Sequence, residues 1–196
     1  MTGIVLAGGE NRRMGTDKAF LEIAGSPLID RIFRSLKSLS WEIIVVTNTP
    51  DRYASYGVTV VGDSFDKRGP LTGIYSGLQK SNDEYNFVLA CDMPFLNTRL
   101  MAYMAALADG YDIVVPAIDD LLEPLHAVYR KGIIPVIEGR IRKDDQRIRS
   151  MFGVLRVRYV QKEQIDCFDP ERKSFKNLNT PQDYEEALCA DWECLR

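Results

Sequence analysis

The chain is 196 residues long, the size of one ordinary domain. Hydrophobic residues make up 45% and charged residues 27%, a globular composition that excludes a disordered or collagen-like chain. Lys and Arg number 25 against 28 Asp and Glu, a net charge of −3, so binding to nucleic acid through bulk positive charge is not expected.

Strand-like and helix-like segments alternate along the sequence. Residues 3–7 form a short apolar run that ends in Gly8-Gly9, which reads as a buried strand entering a loop. Ser26-Pro27 reads as a helix start, Ser as N-cap and Pro as first helical residue. Leu28, Ile29, Ile32, Phe33, Leu36 and Leu39 follow at helical spacing. Residues 43–47 and 58–61 are β-branched strand candidates. Gly69-Pro70 opens a second helix, with Leu71, Ile74, Tyr75 and Leu78 on one face. A strand over 87–91 runs into Asp92, and a helix over 97–107 takes Asn97 as its cap. Residues 112–116 form another strand. Residues 121–130 have strand character but contain a Pro, which suggests an edge strand or an antiparallel excursion. Residues 131–152 read as helical and basic, 154–160 as a strand, and Thr180-Pro181 as the cap and start of a last helix.

This alternation predicts an α/β fold with a mostly parallel sheet and helices on both faces. Ligands of open α/β sheets bind at the carboxyl ends of the strands. The loops over 8–18, 62–73 and 91–96 should therefore gather at one sheet edge.

The first of these loops is the most informative. It reads Leu6-Ala7-Gly8-Gly9-Glu10-Asn11-Arg12-Arg13-Met14-Gly15-Thr16-Asp17-Lys18. Glycines let backbone N–H groups approach a phosphate, and Arg12, Arg13 and Lys18 supply positive charge. The loop matches neither G-x-x-x-x-G-K-[ST] nor G-x-G-x-x-G, which removes the common ATPase and hydride-transfer readings. From glycines and charge alone, a solvated loop remains the other reading.

The spacing Leu6-Ala7-Gly8-Gly9-x-x-x-Arg13-Met14-Gly15-x-Asp17-Lys18 resembles the signature of nucleoside-triphosphate transferases with the sugar-nucleotidyltransferase-like fold. Its R-R-M-G-x-D-K form is most similar to the molybdenum cofactor guanylyltransferases. Gly69-Pro70-Leu71-Thr72-Gly73-Ile74, Cys91-Asp92-Met93-Pro94-Phe95-Leu96, Glu123-Pro124-Leu125-His126-Ala127-Val128-Tyr129 and Asn177-Leu178-Asn179-Thr180-Pro181 fit the same family in the same order. The resemblance implies a three-layer α/β/α nucleotidyltransferase domain over residues 1–196. It implies a reaction in which a terminal phosphate of molybdopterin, with or without molybdenum, attacks the α-phosphorus of GTP and pyrophosphate leaves. Mg²⁺ is the implied cofactor. A same-fold enzyme using CTP, UTP or another phosphorylated acceptor competes with this reading, as does a non-catalytic carrier of the cofactor. Transient contact with molybdoenzymes is implied, and no nucleic-acid or membrane partner.

By the same resemblance, Arg13, Lys18 and Asp92 are the catalytic residues, and Asp92 is the metal ligand. Leu6, Ala7, Gly8 and Gly9 contact guanosine and its phosphates. Asn48 and Asp63 lie on the nucleotide side. Asn177 and Asn179, which alternation puts on one face of an extended segment, position metal, phosphate or pterin. Glu123 and His126 are candidate pterin-side contacts. Simpler readings stand beside these: a surface salt bridge for Lys18, a turn cap for Asp92, and turn or cap roles for the two Asn. Arg140, Arg142, Lys143, Arg147 and Arg149 form either a solvated helix face or a patch for an anionic cofactor or a partner protein.

The longest apolar runs are far below the roughly 18 residues a membrane span needs, and the N-terminus lacks the basic region of a signal peptide. Four cysteines (Cys91, Cys167, Cys189 and Cys194) show no C-x-x-C, and His126 stands alone, so no zinc site is expected. Reduced thiols in a cytoplasmic protein are the expectation.

Overall fold

The computed structural model describes residues 1–8, 18–66, 69–119 and 121–194, with the side chains of the last helix described to Leu188. The chain runs through β1 (Thr2–Leu6), β2 (Glu22–Ile23), β3 (Ser26–Pro27), α1 (Leu28–Ser38), β4 (Glu42–Val46), β5 (Thr59–Val61), α2 (Pro70–Lys80) and β6 (Tyr85–Ala90). It continues through α3 (Thr98–Ala106), β7 (Ile113–Ile118), β8 (Leu121–Leu122), β9 (His126–Arg130), α4 (Ile134–Arg142), β10 (Val157–Gln161), α5 (Lys162–Asp166) and α6 (Pro181–Cys194).

The central sheet has the order β10-β7-β9-β6-β1-β4-β5, with β8 paired to β7. Ladders β1–β4, β1–β6, β4–β5 and β7–β10 are parallel. Strand β9 is antiparallel to both its neighbours, β6 and β7. From β1 the chain moves outward through β4 and β5, then returns to β6 on the other side of β1. The strand order therefore reverses between β1 and β6, where α/β folds open a crevice.

Alternating side chains along each strand feed two cores. Val5, Ile43, Val45, Phe87 and Leu89 pack with Ile32 and Leu36 of α1 and Leu100 and Met104 of α3. Ile4, Leu6, Ile44, Val46 and Val88 pack with Ile74 and Leu78 of α2 and Ile137 and Ile141 of α4. The expected mostly parallel sheet covered by helices on both faces is the one observed.

Three local expectations need correction. Helix α1 begins at Leu28, and Ser26–Pro27 is instead paired antiparallel with Glu22–Ile23. Ala24 (φ 49) and Gly25 (φ 75) connect these two strands, and positive φ at both residues suits a tight two-residue hairpin. Pro27 takes the cap position, with no side-chain cap bond. Residues 121–130 are not one strand, and of the two expected arrangements, edge strand or antiparallel excursion, the antiparallel one is observed. Pro124, which lacks the N–H a ladder needs, lies in a turn between β8 and β9, and β9 enters the sheet interior. The basic stretch 131–152 holds a nine-residue helix, α4, followed by a break and a 3₁₀ segment at Ile148–Val154.

Two caps match expectation. The Asn97 side chain accepts from the N–H groups of Arg99 and Leu100. The Thr180 hydroxyl accepts from Asp183 N–H (3.1 Å), and the Asp183 carboxylate accepts from Thr180 N–H (2.8 Å) and Asn179 N–H (2.9 Å). This reciprocal pairing satisfies orphan donors at the start of α6.

Candidate active site

The carboxyl ends of β5, β4, β1 and β6, with the turn entering β9, surround a cavity of about 580 Å³. Both ladders of β1 extend into it: toward β6, Cys91 N–H donates to the Leu6 carbonyl (3.2 Å), and toward β4, Ala7 N–H donates to the Val46 carbonyl (2.9 Å). These bonds hold the ends of β6, β1 and β4 side by side. The loop after β5 is tied to α2 through Ser64 N–H, which donates to Ser76 Oγ (2.9 Å).

Of the expected site residues, Leu6, Ala7, Gly8, Lys18, Asn48, Asp63, Asp92, Asn177 and Asn179 all line this one cavity. Gly9, Arg12 and Arg13, with Met14, Gly15 and Asp17 of the same motif, lie outside the described residues. Asn48 Nδ2 donates to Asp63 Oδ2 at 3.0 Å, so those two side chains meet at the β4–β5 end.

In the middle of the cavity, Lys18 Nζ donates to Asn179 Oδ1 (2.7 Å) and lies 3.7 Å from Asp92 Oδ2. Both charged side chains are mostly shielded, at 16% and 19% exposure. Burial pushes the Asp92 carboxyl up, while the Lys18 charge beside it pulls the other way. Leu178 N–H donates to the Asp92 carbonyl (2.9 Å), and the Leu178 side chain is buried. That anchor directs Asn177 and Asn179, one residue to either side, to the cavity wall.

At the other end the turn at Glu123, Pro124 and Leu125 forms the wall. His126, next in sequence, does not line it. Its ring is fully buried between Phe87 and Phe175, each with its centroid 5.0 Å away. Neither ring nitrogen has a hydrogen-bond partner among the described residues, and burial pushes its pKa down to about 3. His126 is thus a neutral core ring.

The basic run is largely neutralised from within. Asp145 sits 3.3 Å from Arg140 and 2.9 Å from Arg147, and Glu138 sits 2.6 Å from Arg142. Hydrogen bonding to Arg147 holds the Asp145 carboxyl well below the usual range. Arg149 differs. Its Nη2 donates to the Leu122 carbonyl (3.1 Å), and its charge acts on Glu123 in the cavity wall.

The profile of the MobA-like NTP transferase domain matches residues 3–162. The chain belongs to this family. It is 38% identical over 192 residues to a molybdenum cofactor guanylyltransferase of Desulfosudis oleivorans, covering 97% of this chain and 95% of that protein. It is 37% identical over 186 residues to a probable molybdenum cofactor guanylyltransferase of Pelotomaculum thermopropionicum, covering 95% and 91%. The crystal structure of molybdopterin-guanine dinucleotide biosynthesis protein A from Archaeoglobus fulgidus superposes with a TM-score of 0.87 at 27% identity, covering 98% of this chain and 100% of that one. The fold is accordingly nucleotidyltransferase-like α/β.

Sequence reasoning missed one neighbour of this MobA-like site. Gln146 exchanges hydrogen bonds with Thr72 (3.3 Å and 3.5 Å), and its side chain fills the space where a Cβ on Gly69 would stand. It thereby braces the start of α2, where Gly69 and Pro70 line the cavity. Gln146 is 74 residues from Thr72, and no local pattern announces that contact.

Proposed function

We propose that this chain transfers GMP from GTP to the terminal phosphate of molybdopterin. The observation that carries the reading is the meeting of Lys18, Asp92 and Asn179 at the reversal of strand order, between a nucleotide end at Asn48 and Asp63 and a separate end at Glu123. Family membership supplies the chemistry. An oxygen of the acceptor phosphate forms a bond to the α-phosphorus, the bond from that phosphorus to the bridging oxygen breaks, and pyrophosphate leaves.

Both reactants are polyanions, so the residues must offset repulsion and hold them in line. The Lys18 ammonium, preset by the Asn179 carbonyl oxygen, takes the charge developing on the departing phosphates. The phosphate nucleophile is already ionised and needs no base. Leu6, Ala7 and Gly8, with Gly9, seat the nucleotide through backbone groups, and Arg13 assists Lys18. The Asp63 carboxylate suits guanine because it accepts from the N1–H and N2–H₂ donors together.

The described residues fit Mg²⁺. Asp92 offers a mostly shielded carboxylate beside Lys18, and Asn177 and Asn179, whose side chains carry amide oxygens, line the same cavity. One carboxylate plus substrate phosphates is a usual Mg²⁺ environment. Bound there, the ion would neutralise phosphate charge.

Residues 1–196 are read as one nucleotidyltransferase domain, supported by the continuous sheet from β5 to β10. A cytoplasmic location and brief contact with recipient molybdoenzymes go with this reading. Among the described residues no helix is long and apolar enough to cross a membrane.

The test is pyrophosphate release from purified protein with Mg²⁺, molybdopterin and either GTP or CTP. Release with GTP is expected, and Asp92→Asn should lower kcat by about 10²-fold or more. Release with CTP but not GTP would overturn the guanylyl assignment. Unchanged cofactor maturation by Asp92→Ala would instead favour a carrier.

A further inference from the structure

Guanine and a pterin share a chemical edge. Each fused ring system presents an N–H and an adjacent exocyclic NH₂, so each offers two parallel donors. A product dinucleotide carries such an edge at both ends. The cavity has a carboxylate at each end as well. Asp63 stands at the end of β5, and Glu123 stands where the chain turns into β9. Along the sheet these elements are four inter-strand steps apart, and the Lys18–Asp92 pair lies between them, at β1 and β6. Four steps at about 4.8 Å put the ends roughly 19 Å apart across the sheet.

The backbone that carries Glu123 is held on every side. Glu123 N–H donates to the Pro116 carbonyl (3.2 Å), and its own carbonyl accepts from His126 N–H (3.1 Å). The Pro124 carbonyl accepts from the buried Tyr129 hydroxyl (2.7 Å), and the Leu125 carbonyl accepts from Ala90 N–H (3.1 Å). The side chain is treated differently. Among the described residues none hydrogen-bonds the Glu123 carboxylate, although it is half-buried. Arg149 offsets its charge without occupying its oxygens. Pro124 and Leu125, next in sequence, and Met93 line the same cavity. A turn anchored through its backbone thus brings a partly desolvated acceptor to a cavity that also has apolar lining, which suits the edge and face of a flat heterocycle.

We infer that Glu123 reads the pterin ring of the acceptor, with its carboxylate accepting from the ring N–H and the exocyclic NH₂. This rests on the guanylyltransferase reading above. Glu123 is a specificity residue for the second substrate and takes no part in the phosphoryl chemistry or in GTP binding.

The experiment is steady-state kinetics of wild type, Glu123→Gln and Glu123→Asp with GTP, Mg²⁺ and molybdopterin, alongside equilibrium GTP binding. Glu123→Gln turns one acceptor into a donor facing a donor. It should raise KM for molybdopterin by about tenfold or more, with KM and Kd for GTP within about twofold of wild type. Glu123→Asp keeps the charge on a shorter stem and should recover part of the loss. Intact GTP binding shows that the variants fold. An unchanged acceptor KM in active enzyme overturns the inference and leaves the function standing. A parallel loss of GTP affinity, or a raised Mg²⁺ requirement, also overturns it, since Glu123 would then serve the nucleotide or the metal. A wild type that does not turn over molybdopterin with GTP overturns the function and the inference together.

Discussion

Lys18 is the residue on which the proposed chemistry leans most. Its Nζ is fixed by Asn179 at 2.7 Å and faces Asp92 at 3.7 Å in a mostly shielded site, where charge acts more strongly than in water. Lys18→Ala should lower kcat by about 10²–10³-fold, the usual loss when one preorganised charge-stabilising donor is removed. Asn179→Ala should do less, since it only frees the ammonium, and single-turnover rates would rank the two. His126 makes a different prediction. Folded, it stays neutral down to about pH 3, whereas an exposed histidine titrates near 6.5. Between those values the unfolded chain binds the extra proton. The His126 contribution is therefore intact above about pH 6.5 and is lost as pH falls toward 3. At pH 5 the loss is on the order of 2 kcal/mol. Replacing it by Phe keeps the ring contacts with Phe87 and Phe175 and should flatten the stability profile between pH 5 and 7. Urea denaturation at several pH values measures that slope, and equal slopes in both proteins would refute the account.

At the scale of elements, α2 shows how packing reaches the site. Gly77 lies against β1 so closely that a Cβ would stand 2.4 Å from Ile4 Cγ2. Gly77→Ala must push the helix off the strand at a cost of about 1–3 kcal/mol. Because α2 begins at the cavity wall, the same change should raise KM for GTP. Gly139→Ala in α4 is the contrast: a Cβ there meets nothing within 4 Å, so the substitution should stabilise by up to about 1 kcal/mol. Thermal melts of both variants check the pair. Most elements were legible in sequence because their signals are local. Apolar spacing marked α1 and α2, and Asn97 and Thr180 marked helix starts. The failures share a cause. Ser26-Pro27 has the local chemistry of a helix start, but pairing with Glu22–Ile23 claimed it for a hairpin. The 121–130 stretch left an edge and an antiparallel excursion open because it holds a Pro; the Pro sits in a turn, and β9 runs antiparallel in the middle of the sheet.

At the scale of the whole molecule, one sheet carries both ends of the cavity, so binding and global stability should be linked. Unfolding is expected to follow one transition, coincident by circular dichroism and fluorescence. GTP with Mg²⁺ at 100 times its Kd should add about 2.7 kcal/mol. For a domain of this size, that corresponds to roughly 5–10 °C in Tm. Two separate transitions, or a Tm indifferent to GTP, would count against a single ligand-linked domain. The sequence by itself determined the alternating elements, the three loops at one sheet edge and the residue types suited to phosphate and metal, because periodicity, capping and motif spacing are local properties of the chain. Only the tertiary structure decided that β9 lies inside the sheet, between β6 and β7, that Glu123 reaches the cavity while His126 enters the core, and that Gln146 braces Gly69. Those outcomes depend on contacts between residues far apart in sequence, where burial and hydrogen-bond pairing override what each segment would prefer alone.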